Sequence, residues 1–103
     1  MLIPKSFSVA GKQYQVKWDR GNRIAERGLV GEVDYANCSV VLVDSYGGSK
    51  ICRGCLEQTY LHEVWHTIWD ALGNDTLRKN EAFADAFSAL LLQVLNSGKG
   101  ELK

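Results

Sequence analysis

Phe7 and Val9, and then Tyr14, Val16 and Trp18, alternate with polar residues on either side of Ala10-Gly11-Lys12. A period of two predicts strands with one buried face, and the glycine between them predicts a tight hairpin turn. Leu29 to Tyr35 and Cys38 to Val43 read as two further strands joined at Ala36-Asn37. The second of these is almost continuously apolar, the pattern of a strand covered on both faces. Asp19 to Arg27, charged and edged by Gly21 and Gly28, fits a short helix or a loop equally well. Ser45 to Lys50, carrying Gly47-Gly48, reads as a loop.

The period changes in the second half. Leu56 to Leu72 contains no Pro or Gly and stops at Gly73, which predicts a helix with a glycine terminator. Gly73-Asn74-Asp75 reads as a turn, with Asp75 as the N-cap of a second helix reaching about Asn96. Ala82, Phe83, Ala84, Ala86, Phe87 and Leu90 to Leu92 make that helix apolar nearly all round, so it is expected to be buried. Strands followed by helices predict an α+β fold, a small antiparallel or mixed sheet packed on a C-terminal helical hairpin. The length of 103 residues predicts one domain, residues 1–103.

Composition narrows the function. Hydrophobic types make up 46% of the chain and charged types 23%, which excludes collagen-like, coiled-coil and disordered readings. Twelve Lys and Arg balance twelve Asp and Glu, and the basic residues are scattered, so no stripe tracks a phosphate backbone and nucleic acid is not an expected partner. No apolar run is long enough to span a membrane, and the N-terminus shows no secretory signal. A cytoplasmic protein is expected. The three cysteines are an odd number and do not read as a disulfide framework.

The chemistry-bearing segment is His62-Glu63-Val64-Trp65-His66, an H-E-x-x-H on the predicted helix. At about 100° per residue, four residues bring His66 to within roughly 40° of His62, one turn along the same face, so both imidazoles can hold one metal ion. Glu63 lies beside them, better aimed at a water on the metal than at the metal. Two histidines placed at random fall four apart about 2% of the time, with Glu in the next position about 6% of the time. On the helical wheel Thr59, His62, Glu63, His66 and Asp70 share the polar arc, and Tyr60, Leu61, Val64, Trp65, Ile68, Trp69 and Leu72 the broad apolar one.

A catalytic zinc takes three protein ligands and leaves one position open. With no third histidine, Glu81 is the expected third ligand. His66 lies about 10 Å before Gly73 along one helix and Glu81 about 9 Å after Asp75 along the next, so in an antiparallel hairpin their heights match. Asp85, one turn beyond Glu81, can accept a histidine N–H and fix its tautomer.

HEVWH followed by Glu81 and Asp85 resembles the gluzincin pattern of zinc metallopeptidases. The short chain, the strand-rich N-terminal half and the 15-residue step from His66 to Glu81 are most similar to the soluble minigluzincins. Small phage and bacterial peptidases of the ImmA/IrrE type are similar too, which points to a bacterial or phage-encoded protein. The specific resemblance covers about residues 38–95. It implies His62, His66 and Glu81 as Zn2+ ligands, Glu63 as general base and acid, Asp85 as the residue orienting a histidine, and hydrolysis of a peptide or protein substrate. Larger gluzincins often add a His or Tyr that stabilises the oxyanion. Here Tyr46 and Tyr60 are the candidates, with Tyr35 and Arg53 as others. The strand Ser39–Val43 either presents an edge to an extended substrate or is internal.

Cys52-Arg53-Gly54-Cys55 supplies a competing reading. Cys52, Cys55, His62 and His66 could close a structural zinc site in a protein-interaction module, although the step between the pairs is shorter than a zinc-finger loop. A redox C-x-x-C lacks the strand-to-helix context of thioredoxin-like motifs. A catalytically silent protein of the zincin fold is the third reading. Trp18, Trp65 and Trp69 read as core or cleft-wall aromatics, and Cys38 as a small core hydrophobe.

Overall fold

The computed structural model describes residues 1–103. β1 (Ser6–Val9) and β2 (Lys12–Trp18) form the expected hairpin, with Ala10 and Gly11 both at positive φ, 50° and 78°. Two positive φ values in a two-residue loop match the right-handed twist of the flanking strands. The Asp19–Arg27 stretch resolves into turns and one 3-10 turn at Ala25–Arg27, with the Asp19 carboxylate accepting from the Ile24 and Ala25 backbone N–H groups. β3 (Gly31–Asp34) and β4 (Ser39–Leu42) pair antiparallel, and β4 also pairs in parallel with β2. The sheet is therefore mixed, in the order β1-β2-β4-β3.

That order settles the edge question. β4 lies between β2 and β3, so Ser39–Val43 has no free edge to offer, and the open edges belong to β1 and β3. Its apolar run is explained by the same position, since Ser39, Val40, Leu42 and Val43 are all buried. Ser45–Lys50 is not a plain loop. β5 (Ser45–Tyr46) pairs with β6 (Ser49–Lys50) across Gly47-Gly48, whose φ values of 58° and 82° only glycine adopts at no steric cost.

α1 (Arg53–Ala71) begins three residues earlier than expected because the Cys52 side chain caps it, accepting the Cys55 N–H. Gly73, at φ 70°, terminates it. The second expected helix is broken into two. Asn74, rather than Asp75, caps the single turn α2 (Asp75–Arg78), and Asn80 caps α3 (Glu81–Ser97). Each asparagine oxygen accepts a backbone N–H three residues on, 3.0 Å to Leu77 N and 3.0 Å to Phe83 N. A side chain that competes for backbone N–H groups restarts the helix wherever it stands.

α1 packs against both the sheet and α3, and Leu91 and Leu92 of α3 also reach the core between sheet and α1. Tyr14, Val40 and Leu42 from the sheet meet Tyr60 and Leu61 from α1 in the core. Phe7 stacks on Tyr14, its cross-strand partner, at 5.3 Å and meets the Tyr60 ring edge-on at 6.0 Å. α3 is not the buried helix its composition suggests. It packs chiefly on α1, so only Ala84 and Ser88 are buried while Phe83, Phe87, Leu90, Val94 and Leu95 are exposed. Trp65 is buried, whereas Trp18 is exposed at the end of β2. Cys38 is half-buried against the core. No helix is long and apolar enough to cross a membrane.

Candidate functional site

His62 and His66 project from one face of α1 towards the start of α3. Their Nε2 atoms are 3.0 Å apart, and the Glu81 carboxylate spans them, with Oε2 2.8 Å from His62 and Oε1 3.0 Å from His66. These three side chains form the one group in the protein whose donor atoms converge as a metal ion requires. Glu81 reaches them from the first turn of α3 rather than six residues along a continuous helix. α2 is a one-turn spacer that sets its height, and Asn80 fixes where α3 starts. Both imidazoles are largely buried, while the Glu81 and Asp85 side chains are 67% and 70% exposed. The acids are thus held by the helix start and not by packing.

The far side of each imidazole is tied down. His62 Nδ1 lies 2.7 Å from Asp85 Oδ1, and His66 Nδ1 lies 2.6 Å from the Arg78 carbonyl oxygen. A carbonyl only accepts, and so does an ionised carboxylate, so both Nδ1 atoms carry the proton. In a neutral imidazole the other nitrogen is then a bare acceptor. With both rings neutral, the two Nε2 lone pairs and the Glu81 carboxylate face one another within 3.0 Å. A proton on one ring satisfies these contacts through hydrogen bonds, and a metal ion placed among the three atoms satisfies them by coordination. Ligands at ~2.0–2.1 Å from a tetrahedral zinc sit roughly 3.3 Å from each other, close to the spacing found here.

Glu63, the residue between the histidine positions, is buried. Burial pushes its carboxyl up to about 7, with Glu81, Glu32 and Asp85 adding to the rise and His62 opposing it. That places it near neutrality, where a group both takes and returns a proton. The burial comes from a residue that the sequence reading passed over. Gly31 opens β3 directly above Glu63, and a Cβ there would stand 2.6 Å from Thr59 Cγ2 and 3.0 Å from Glu63 Oε1. The available signal was a glycine inside a strand pattern, which marks close approach of another element.

Two cavities, about 340 and 450 Å³, meet over the cluster at Leu29, Gly31, Glu63 and Glu81. Together they make a groove along the open edge of β3. One arm runs past Thr59 and Gln58 to Cys55, and the other past His66 to Tyr35, Arg78 and Lys79. Arg78, also missed from sequence, both anchors His66 through its carbonyl and holds its guanidinium 5.3 Å from the centre of the Tyr35 ring. Of the four residues expected to serve an oxyanion, only Tyr35 lines the groove. Tyr60 points to the opposite face of α1 and is part of the core. Tyr46 is exposed on β5, outside the lining of both arms, and Arg53 reaches the Met1 carbonyl. Cys52 and Cys55 do not join the histidines, so no Cys2His2 group forms.

Compared with protein-family models, with curated proteins and with solved structures, the chain matches none.

Proposed function

We propose that this protein is a minimal zinc-dependent peptidase of gluzincin type, hydrolysing peptide bonds. The observation that carries the reading is the convergence of three metal-ligating side chains, His62 through Nε2, His66 through Nε2 and Glu81 through its carboxylate, each histidine already tied down through its other nitrogen. Two nitrogens and one oxygen, with room for a fourth ligand on the groove side, are the donor set of catalytic rather than structural zinc. A zinc ion held there acidifies a water and polarises a carbonyl oxygen.

The remaining roles belong to the chain itself. Glu63 faces the point where the two arms of the groove meet. Its buried carboxyl can accept a proton from water and return it to a leaving amine. β3 offers free backbone N–H and C=O groups along its outer edge, so an extended peptide can lie in the groove as an added strand. Tyr35 and Arg78 line the same arm as His66, which makes them the side chains to test as oxyanion donors. Asp85 and the Arg78 carbonyl are positioning groups that fix both imidazole tautomers.

The test is a pair of measurements on zinc-loaded protein. Hydrolysis of a mixed peptide library is expected for the wild type and lost in Glu63→Gln, with zinc stoichiometry unchanged in both. A wild type that binds zinc and cleaves no peptide would leave the catalytically silent reading. A chain that binds no zinc would remove both.

A further inference from the structure

The two cysteines that the metal cluster leaves aside sit together at the start of α1. Cys52 is the N-cap residue, in extended conformation at φ −63° and ψ 153°, and Cys55 stands three residues on, in the first turn. Their Sγ atoms are 2.8 Å apart, and Cys52 Sγ also accepts the Cys55 backbone N–H at 3.4 Å. Both are exposed. β6 ends at Lys50, two residues before the cap, but it belongs to the small separate hairpin and not to the main sheet. No His, Asp or Glu converges on the pair, which leaves two sulfurs without the further ligands that a structural metal needs.

We propose that Cys52 and Cys55 form a redox-active dithiol that exchanges reversibly with low-molecular-weight disulfides. This inference is independent of the metal reading. Position on the helix decides which sulfur attacks, because Cys52 Sγ at the N-cap accepts the Cys55 backbone N–H and Cys55 Sγ accepts no such group. The close contact with the Cys55 thiol and the Cys55 backbone N–H on Cys52 Sγ hold the Cys52 thiol below its ordinary range, while the same sulfur contact pushes Cys55 up. A thiolate at a helix N-terminus is the nucleophile in such a pair. Cys52 thiolate attacks one sulfur of the disulfide RSSR, whose S–S bond breaks and releases one RS⁻. Cys55, giving its proton to solvent, then attacks Cys52 Sγ, and the bond to the second R-sulfur breaks. The dithiol loses two electrons and two protons, and RSSR becomes two RSH. Cys55 lines the end of the groove arm of about 340 Å³, so the exchange takes place at the rim of the candidate site.

The experiment equilibrates the full chain, with and without chelator, in buffers of stepped glutathione to glutathione disulfide ratio. Acid quenching, alkylation and intact-mass analysis follow. The wild type is expected to lose the mass of two hydrogens at oxidising ratios, to retain no glutathione, and to leave Cys38 alone alkylated. Cys55→Ser is expected to trap one glutathionyl group on Cys52. It should do so at least tenfold faster than Cys52→Ser reacts, with folding of both variants checked by circular dichroism. Three alkylatable thiols at the most oxidising ratio, or stable glutathione adducts on both cysteines of the wild type, would overturn the proposal. Protection of both thiols that disappears with chelator would also overturn it, since it would mean a metal held by the sulfurs.

Discussion

Gly31→Ala probes the contact that buries Glu63. The backbone at position 31 lies outside the left-handed region, so alanine meets no conformational strain there and the effect is steric alone. Its methyl would stand 2.6 Å from Thr59 Cγ2, 3.0 Å from Glu63 Oε1 and 3.2 Å from Glu63 Cγ. The threonine methyl cannot simply turn away, because Thr59 Oγ1 is fixed by donating to the Cys55 carbonyl at 3.0 Å. Overpacking of this kind costs about 1–3 kcal/mol. Loss of glycine flexibility in the unfolded chain returns about 0.4–1 kcal/mol. A net loss of about 1–2 kcal/mol is expected, read as a lower urea midpoint at unchanged slope. Thr59→Ser removes Cγ2 and keeps the hydroxyl, so the double variant should recover about 0.5 kcal/mol or more in a double-mutant cycle. A stability equal to or above that of the wild type for Gly31→Ala, or no recovery with Thr59→Ser, would refute the close approach of β3 to α1 and with it the explanation of Glu63 burial.

Other expectations follow from the same geometry. Glu63→Gln in chelator should stabilise the protein at high pH only. Because the folded-state pKa is raised from 4.5 to about 7, the native penalty is absent below 4.5 and grows as pH rises to about 7. It then levels off near ~3 kcal/mol, since one pKa unit is worth about 1.4 kcal/mol; a pH-independent difference between the two proteins in urea titrations would contradict this. Asp85→Asn should weaken zinc affinity about 10–100-fold by competition titration, as the loss of a partner that orients a ligating histidine does, and Glu81→Ala should weaken it further. Asn80→Ala should cost about 0.5–2 kcal/mol as a lost N-cap. It should also loosen zinc binding more than Asn74→Ala does, because only Asn80 fixes the start of the helix that carries Glu81; equal effects would disconnect the cap from the site.

The local pattern made much of this protein legible. Alternation at Phe7–Trp18 and the apolar run at Ser39–Val43 specified strands, and the four-residue spacing of His62 and His66 on an uninterrupted helix put both imidazoles on one face. Those are properties of period, set by backbone geometry within a few residues. Hydrophobic composition misjudged α3, because an apolar helix is buried only if something covers it, and α1 covers one side. The break between α2 and α3 was not read from the sequence, because Asn74 was assigned to the turn, Asp75 to the cap and Asn80 to the interior of one continuous helix.

What the sequence determined alone is the four strands of the main sheet, the first long helix and the pairing of His62 with His66, since each follows from a period within a single element. Only the tertiary structure decided that β4 is internal and β3 an open edge beside the site, that Tyr60 belongs to the core, and that Gly31 presses on Glu63. It also decided that the Arg78 carbonyl ties down His66, and it fixed the distances at which Glu81 and Asp85, both expected from the sequence, meet the imidazoles. The reason is that each of these depends on which elements lie side by side, and strand order and helix docking are fixed by the burial of many side chains at once rather than by any neighbouring residue.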